Sequence, residues 1–217
     1  MLRRSAVVSL VGGALLGAPR VHASTAGLFT SRDPLVASAD RFWSVPRWVW
    51  LKRPATGEEV KIEYWRDGVL DAQAYRRLCW FMRDVRFERL LLDKSSAVHR
   101  AHARGQIKAE DMVCTTRMDP VLIDILYAYS AWLAIHGVKQ PLLFTSGFRH
   151  LFTNARTEGA AQNSWHPKGG AGDIVIPGVP VVRSAEFGRW IAGGGVGLYV
   201  NKGFVHLDRG NVRSWRG

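Results

Sequence analysis

Ser164-Trp165-His166-Pro167-Lys168-Gly169-Gly170-Ala171-Gly172-Asp173 places an imidazole in a glycine-rich turn and a carboxylate at the start of the apolar run Asp173-Ile174-Val175-Ile176. Gly169, Gly170 and Gly172 let the backbone turn tightly, so Asp173 is expected to point into the same cleft as His166. A third group must come from a neighbouring strand, and Gly203-Phe204-Val205-His206-Leu207-Asp208 supplies it. Strand side chains alternate, so His206 and Asp208 share a face. Two imidazoles and one carboxylate leave a fourth tetrahedral position open to water, the catalytic rather than the structural pattern for zinc. That pattern points to hydrolysis. Zinc lowers the pKa of its water to about 7, and a nearby carboxylate is needed to pass a proton to the leaving amine. Arg149, ending the preceding run Pro141-Leu142-Leu143-Phe144-Thr145-Ser146-Gly147-Phe148-Arg149, is placed to bind a substrate carboxylate or an oxyanion. Taken singly, a histidine in a glycine-rich turn is more often plain polar surface, and an aspartate there more often caps a turn.

Outward from this stretch, the run at Pro141–Ser146 and that at Val196-Gly197-Leu198-Tyr199 read as short strands. Upstream, Asp119-Pro120 caps a strongly apolar helix running to about Ile135, which belongs in the core. Asp71 caps an earlier helix, with Tyr75, Leu78, Cys79, Met82 and Val85 at helical spacing. Trp48-Val49-Trp50-Leu51 and Val60-Lys61-Ile62-Glu63-Tyr64-Trp65 flank Pro54-Ala55-Thr56-Gly57, the composition of a hairpin whose tryptophans are packing groups. From about Leu92 to Met112 the chain reads as an irregular polar loop, and His99 and His102 within it as solvated. Helices first and strands later imply an α+β domain, with helices on one face of a mainly antiparallel sheet.

At the N-terminus, Arg3 and Arg4 precede an uncharged apolar run from Ala6 to Ala18, followed by Val21-His22-Ala23. This is the pattern of a cleaved signal peptide, residues 1–23, by the general or the twin-arginine route. Residues 24–41 read as a mobile leader, and 42–217 as a single domain of ordinary size. No later stretch is apolar enough to span a bilayer, so an exported, periplasmic monomer is expected. The formal charge of +12 favours an anionic partner. With basic residues scattered and no nucleic-acid motif, export makes the cell wall that partner rather than nucleic acid. Cys79 and Cys114 read equally as a disulfide or as buried thiols.

The central stretch matches S-x-H-x-x-G-x-A-x-D throughout. With Ser146-Gly147-Phe148-Arg149, Gly194-Gly195-Val196-Gly197-Leu198-Tyr199 and Val205-His206-Leu207-Asp208-Arg209-Gly210-Asn211-Val212-Arg213-Ser214-Trp215, it resembles the zinc D-alanyl-D-alanine peptidases, and among them the murein endopeptidase K branch. The resemblance spans roughly Phe42 to the C-terminus. It implies one zinc ion at His166, Asp173 and His206, and a fold shared with lysostaphin-type and hedgehog domains. It also implies cleavage of peptidoglycan stem peptides or cross-links, with Ser164 and Arg149 contacting substrate or supporting the ligands. Many relatives carry a glutamate base three residues before the last histidine, whereas Gly203 stands there in this chain. Asp208 is therefore the candidate base, or else the group that orients His206. A D,D-carboxypeptidase and a zinc-containing wall-binding module without turnover are the rival readings on the same fold.

Overall fold

The computed structural model describes residues 39–217 apart from 158, 160 and 162. The signal sequence expected at 1–23, and the leader as far as residue 38, lie outside the described residues. Helix α1 (Ala39–Ser44) crosses the domain boundary drawn at Phe42 and leads into β1 (Arg47–Lys52). The expected hairpin forms, with β1 paired antiparallel to β2 (Glu59–Arg66), and β2 in turn to the short β3 (Val69–Leu70). Lys61 lies over the rings of Trp48 and Trp50 at 5.5 and 4.6 Å, so these tryptophans are packing groups of the hairpin.

Asp71 accepts from the N–H groups of Gln73 and Ala74 and opens α2 (Ala72–Phe81). Val85 does not continue that helix. Asp84 caps a new one, α3 (Val85–Leu92), because its carboxylate accepts from Arg86 and Phe87 and draws the chain out of helical geometry at Met82–Asp84. The segment expected to be an irregular loop holds α4 (Ala97–Ala103), capped by Ser96, and a 3-10 turn at Ala109–Asp111. Its apolar residues are few but well placed: Val98, Ala101 and Ile107 join Phe87 and Cys114 in a small cluster of their own. Among the described residues His99 and His102 join no group of three metal-ligating side chains; their rings lie 3.0 Å from the Leu91 carbonyl and 2.7 Å from the Ile107 carbonyl, tying the segment together.

Helix α5 (Pro120–Ile135) runs as expected from the Asp119 cap and is buried almost throughout. Then follow β4 (Leu142–Ser146), the short α6 (Leu151–Asn154), a 3-10 turn at His166–Lys168 and β5 (Ala171–Val175). Helix α7 (Val181–Ile191), which the sequence reading passed over, precedes β6 (Gly195–Tyr199), β7 (Phe204–Asp208) and β8 (Arg213–Arg216).

The strands form one sheet in the order β3-β2-β1-β4-β5-β7-β6-β8. Most neighbours pair antiparallel, as expected, but the sheet is mixed, since β1 pairs with β4, and β6 with β8, in parallel. The reason is the connections: α2 to α5 intervene between β1 and β4, which is the length a parallel crossover needs. One face of the sheet carries Val49, Leu51, Ile62, Leu142, Phe144, Ile174, Val196, Leu198, Val205 and Leu207 into a single core with α2, α5 and α7. By alternation the intervening residues of β5 and β7 face the other side, and that face bears the polar cluster. Cys79 and Cys114 are buried and free, one in each hydrophobic cluster.

Candidate metal centre

Register places the first two groups. Asp173 on β5 stands directly opposite His206 on β7, with Gly172 opposite Leu207 and Ala171 opposite Asp208. His206 Nδ1 lies 2.8 Å from Asp173 Oδ1. His166 arrives from the 3-10 turn, which ends at Gly169 with φ of 69°, a left-handed conformation that glycine adopts without strain. A side chain there would also meet the Arg117 carbonyl at 2.6 Å. The turn brings His166 Nε2 to 3.4 Å from Asp173 Oδ1 and 3.2 Å from His206 Nδ1. His166, Asp173 and His206 thus offer three ligand atoms within 4.8 Å of one another.

The outward nitrogen of each ring is already engaged. His166 Nδ1 donates to the Gly147 carbonyl at 2.6 Å, and His206 Nε2 donates to Asp208 Oδ2 at 3.2 Å. With both rings neutral, these bonds select the tautomers whose inward nitrogens present lone pairs toward a carboxylate oxygen. In that state three acceptors converge on one point. A cation relieves their repulsion, as does a proton on His206 Nδ1, and the donor set fits a zinc ion of the open two-histidine, one-carboxylate type.

The electrostatics separate the two imidazoles. Burial works against ionising Asp173, yet the imidazoles of His166 and His206 outweigh it and hold the carboxyl well below the usual range. Burial lowers the His166 pKa, with Asp173 opposing. For His206 burial also opposes the charged form, but Asp173 and Asp208 prevail and raise it. Asp208, only 1 % exposed, is likewise held low against its own burial, by His206, Arg213 and the Gly210 N–H.

Every residue named from the sequence lies at this site. Arg149 Nη2 reaches Asp173 Oδ2 at 3.5 Å and Ser146 Oγ at 3.2 Å, and its Nη1 donates to Asn154 Oδ1 at 3.2 Å. Ser164 Oγ accepts from the His166 N–H at 3.2 Å, supporting the turn. Both border a cleft of about 470 Å³, lined also by Trp165, Tyr199, Lys202, Phe204, Arg213 and Trp215. Within it Asp173 and Asp208 are the only carboxylates among the described residues. Sequence reasoning gave no role to Arg213, which pairs with Asp208 at 2.7 and 3.1 Å, although it belongs to the quoted C-terminal motif. It also missed Asn154, and the backbone carbonyl of Gly147, which no side-chain pattern can announce.

Residues 106–215 match the family profile described as peptidoglycan L,D-endopeptidase MepK, Peptidase_M15_2. The chain is 30% identical over 174 residues to the peptidoglycan L,D-endopeptidase MepK of Escherichia coli (strain K12), covering 78% of this chain and 80% of that protein. It is 28% identical over 176 residues to the probable peptidoglycan L,D-endopeptidase MepK of Haemophilus influenzae, covering 79% and 80%. No solved structure matches the chain significantly. With the profile covering half of the chain and including all three residues of the candidate centre, this protein belongs to the Peptidase_M15_2 family, the MepK peptidases.

Proposed function

We propose that this protein is a zinc-dependent murein endopeptidase that cuts an L,D bond in peptidoglycan, the bond for which its relatives are named. One zinc ion would be held by His166 Nε2, a carboxylate oxygen of Asp173 and His206 Nδ1. The observation that carries this is the convergence of three ligand-type atoms, with the two imidazoles held from behind by Gly147 and Asp208. Zinc in such a site polarises the scissile carbonyl and acidifies the attacking water.

The chain's own residues divide the remaining work. Asp208 accepts from the Gly195 and Gly210 N–H groups and from Arg213, besides His206. A carboxylate so fully engaged supports the reading of Asp208 as a positioning group for His206 rather than a free base. Arg149 restrains Asp173 and carries a positive charge at the cleft wall, where a substrate carboxylate or developing oxyanion is stabilised. Tyr199 and Trp215, joined at 3.3 Å, make a shelf beside His206 for the peptide.

The fold is read as that of D-alanyl-D-alanine peptidases and hedgehog-type domains, supported by the order of the three motifs on β4, β5 and β7. We also read residues 1–23 as an export signal, 24–41 as a leader and 42–217 as one periplasmic domain acting as a monomer. None of the described helices is long and apolar enough to cross a membrane. The test is digestion of purified peptidoglycan by zinc-loaded protein and by His206→Ala, with muropeptides resolved by mass spectrometry. Loss of L,D-linked species with wild type alone is expected. Unchanged muropeptides alongside wall binding by wild type would instead establish a binding module.

A further inference from the structure

The loop that pins His166 is itself pinned from the far side. Its residues alternate in direction. Gly147 and Arg149 face the candidate centre, the first through its carbonyl on His166 Nδ1, the second through Nη2 on Asp173 and its own N–H on the His166 carbonyl at 3.3 Å. Phe148 and His150 turn their N–H groups the other way, to the corner between α2 and α3: Phe148 N–H donates to the Met82 carbonyl at 2.8 Å, and His150 N–H to Asp84 Oδ2 at 2.9 Å. The Thr153 hydroxyl donates to the same Oδ2. The other oxygen, Oδ1, accepts from the N–H groups of Arg86 and Phe87 at 3.1 and 3.0 Å. The His150 ring stacks on Phe87 with centroids 3.7 Å apart. Asp84 is 4 % exposed, and it lies outside residues 106–215, the stretch that carries the family match.

We propose that Asp84 is a positioning residue for the metal centre, clamping the Gly147–His150 loop to the α2–α3 corner so that the Gly147 carbonyl selects the His166 tautomer and Arg149 stays on Asp173. The inference rests on the zinc reading above for its consequence, though the clamp itself does not involve metal. The carboxylate is needed because four donors, two from α3 and two from the loop region, point at its two oxygens. An amide has one acceptor oxygen, so Asn in either orientation turns an NH2 against N–H or O–H groups and releases either the helix or the loop. Released, the loop no longer presents the Gly147 carbonyl to His166 Nδ1, and the inward lone pair is lost in part of the molecules.

The experiment compares Asp84→Asn, Thr153→Val and Val98→Ala with wild type. Val98 is fully buried in the small second cluster and serves as a control for stability alone. On metal-free protein, long-range proton–nitrogen correlation reports the His166 tautomer, and chelator competition then gives the zinc dissociation constant. Asp84→Asn is expected to mix the His166 tautomers and to weaken zinc binding about tenfold or more, the usual effect of losing support behind a ligand. Thr153→Val shifts both in the same direction by less, and stands in should Asp84→Asn not fold. Val98→Ala lowers the melting temperature while moving neither readout. An unchanged tautomer and affinity in both clamp variants overturns the proposal, as does an equal shift in Val98→Ala at equal loss of stability. Should wild type bind no zinc, the functional reading falls, and the tautomer comparison alone decides on Asp84.

Discussion

Asp208 touches His206 Nε2 at 3.2 Å but meets Arg213 at 2.7 Å on the same oxygen, so substituting it separates orientation from proton transfer. Asp208→Asn is expected to weaken zinc binding by about 10- to 100-fold, as losing a carboxylate behind a ligating histidine does. Turnover should then recover substantially when zinc is raised to saturation, as read by muropeptide release at increasing free zinc. Activity lost at full zinc occupancy would make Asp208 the base after all. Gly147 is a second sensitive position. A Cβ there would stand 2.5 Å from the Met82 carbonyl and 2.7 Å from the Phe144 ring. Gly147→Ala is therefore expected to cost about 1–3 kcal/mol in urea unfolding, as overpacking does, and to disturb His166 through the carbonyl it displaces. The motif residues were legible at this scale because their chemistry is in their side chains. The Gly147 carbonyl and the Asp84 clamp were not, since a backbone acceptor and a contact between residues 66 apart leave no local pattern.

Elements were legible where a cap and an apolar period coincide. Asp71 and Asp119 each precede such a run, and α2 and α5 start where those residues stand. Helix α4 was missed because its seven residues bury only Val98 and Ala101, too few to make a period visible between charged neighbours. Helix α7 was passed over between two glycine-rich strands, although its buried Ala185, Phe187 and Ile191 carry part of the core. The tie between elements has its own test. Asp124 on α5 holds Arg47 on β1 at 3.0 and 3.1 Å and Tyr64 on β2 at 2.7 Å, with both ionic partners buried. Asp124→Ala leaves the Arg47 guanidinium buried and without its counter-charge, so a loss of about 3–5 kcal/mol is expected from chemical denaturation. A loss below 1 kcal/mol would mean that the Trp43 carbonyl and the Trp65 ring, 3.9 Å from the guanidinium, suffice to hold it.

For the molecule as a whole, a metal bound only by the folded state adds stability by mass action. At a free zinc concentration a thousandfold above the dissociation constant, the gain is about 4 kcal/mol. For a domain of this size that is a rise of about 10 °C in melting temperature, measurable by calorimetry with and without chelator. Restoring zinc should restore both the melting temperature and muropeptide release, and a chelator without effect on either would contradict a resident metal. The gain would arise because His166 comes from a turn while Asp173 and His206 come from neighbouring strands, so unfolding separates the three groups. Sequence by itself determined the chemistry here: which residues could ligate, the class of the fold, and the hairpin and capped helices, because side-chain type, alternation and capping are local. Tertiary structure alone decided that β1 and β6 take parallel neighbours, that the Asp208 oxygens are shared among His206, Arg213 and two backbone N–H groups, and that Asp84 ties the α2–α3 corner to His150 and Thr153. Those outcomes depend on groups far apart in the chain competing for the same donors and acceptors, and only packing decides that competition.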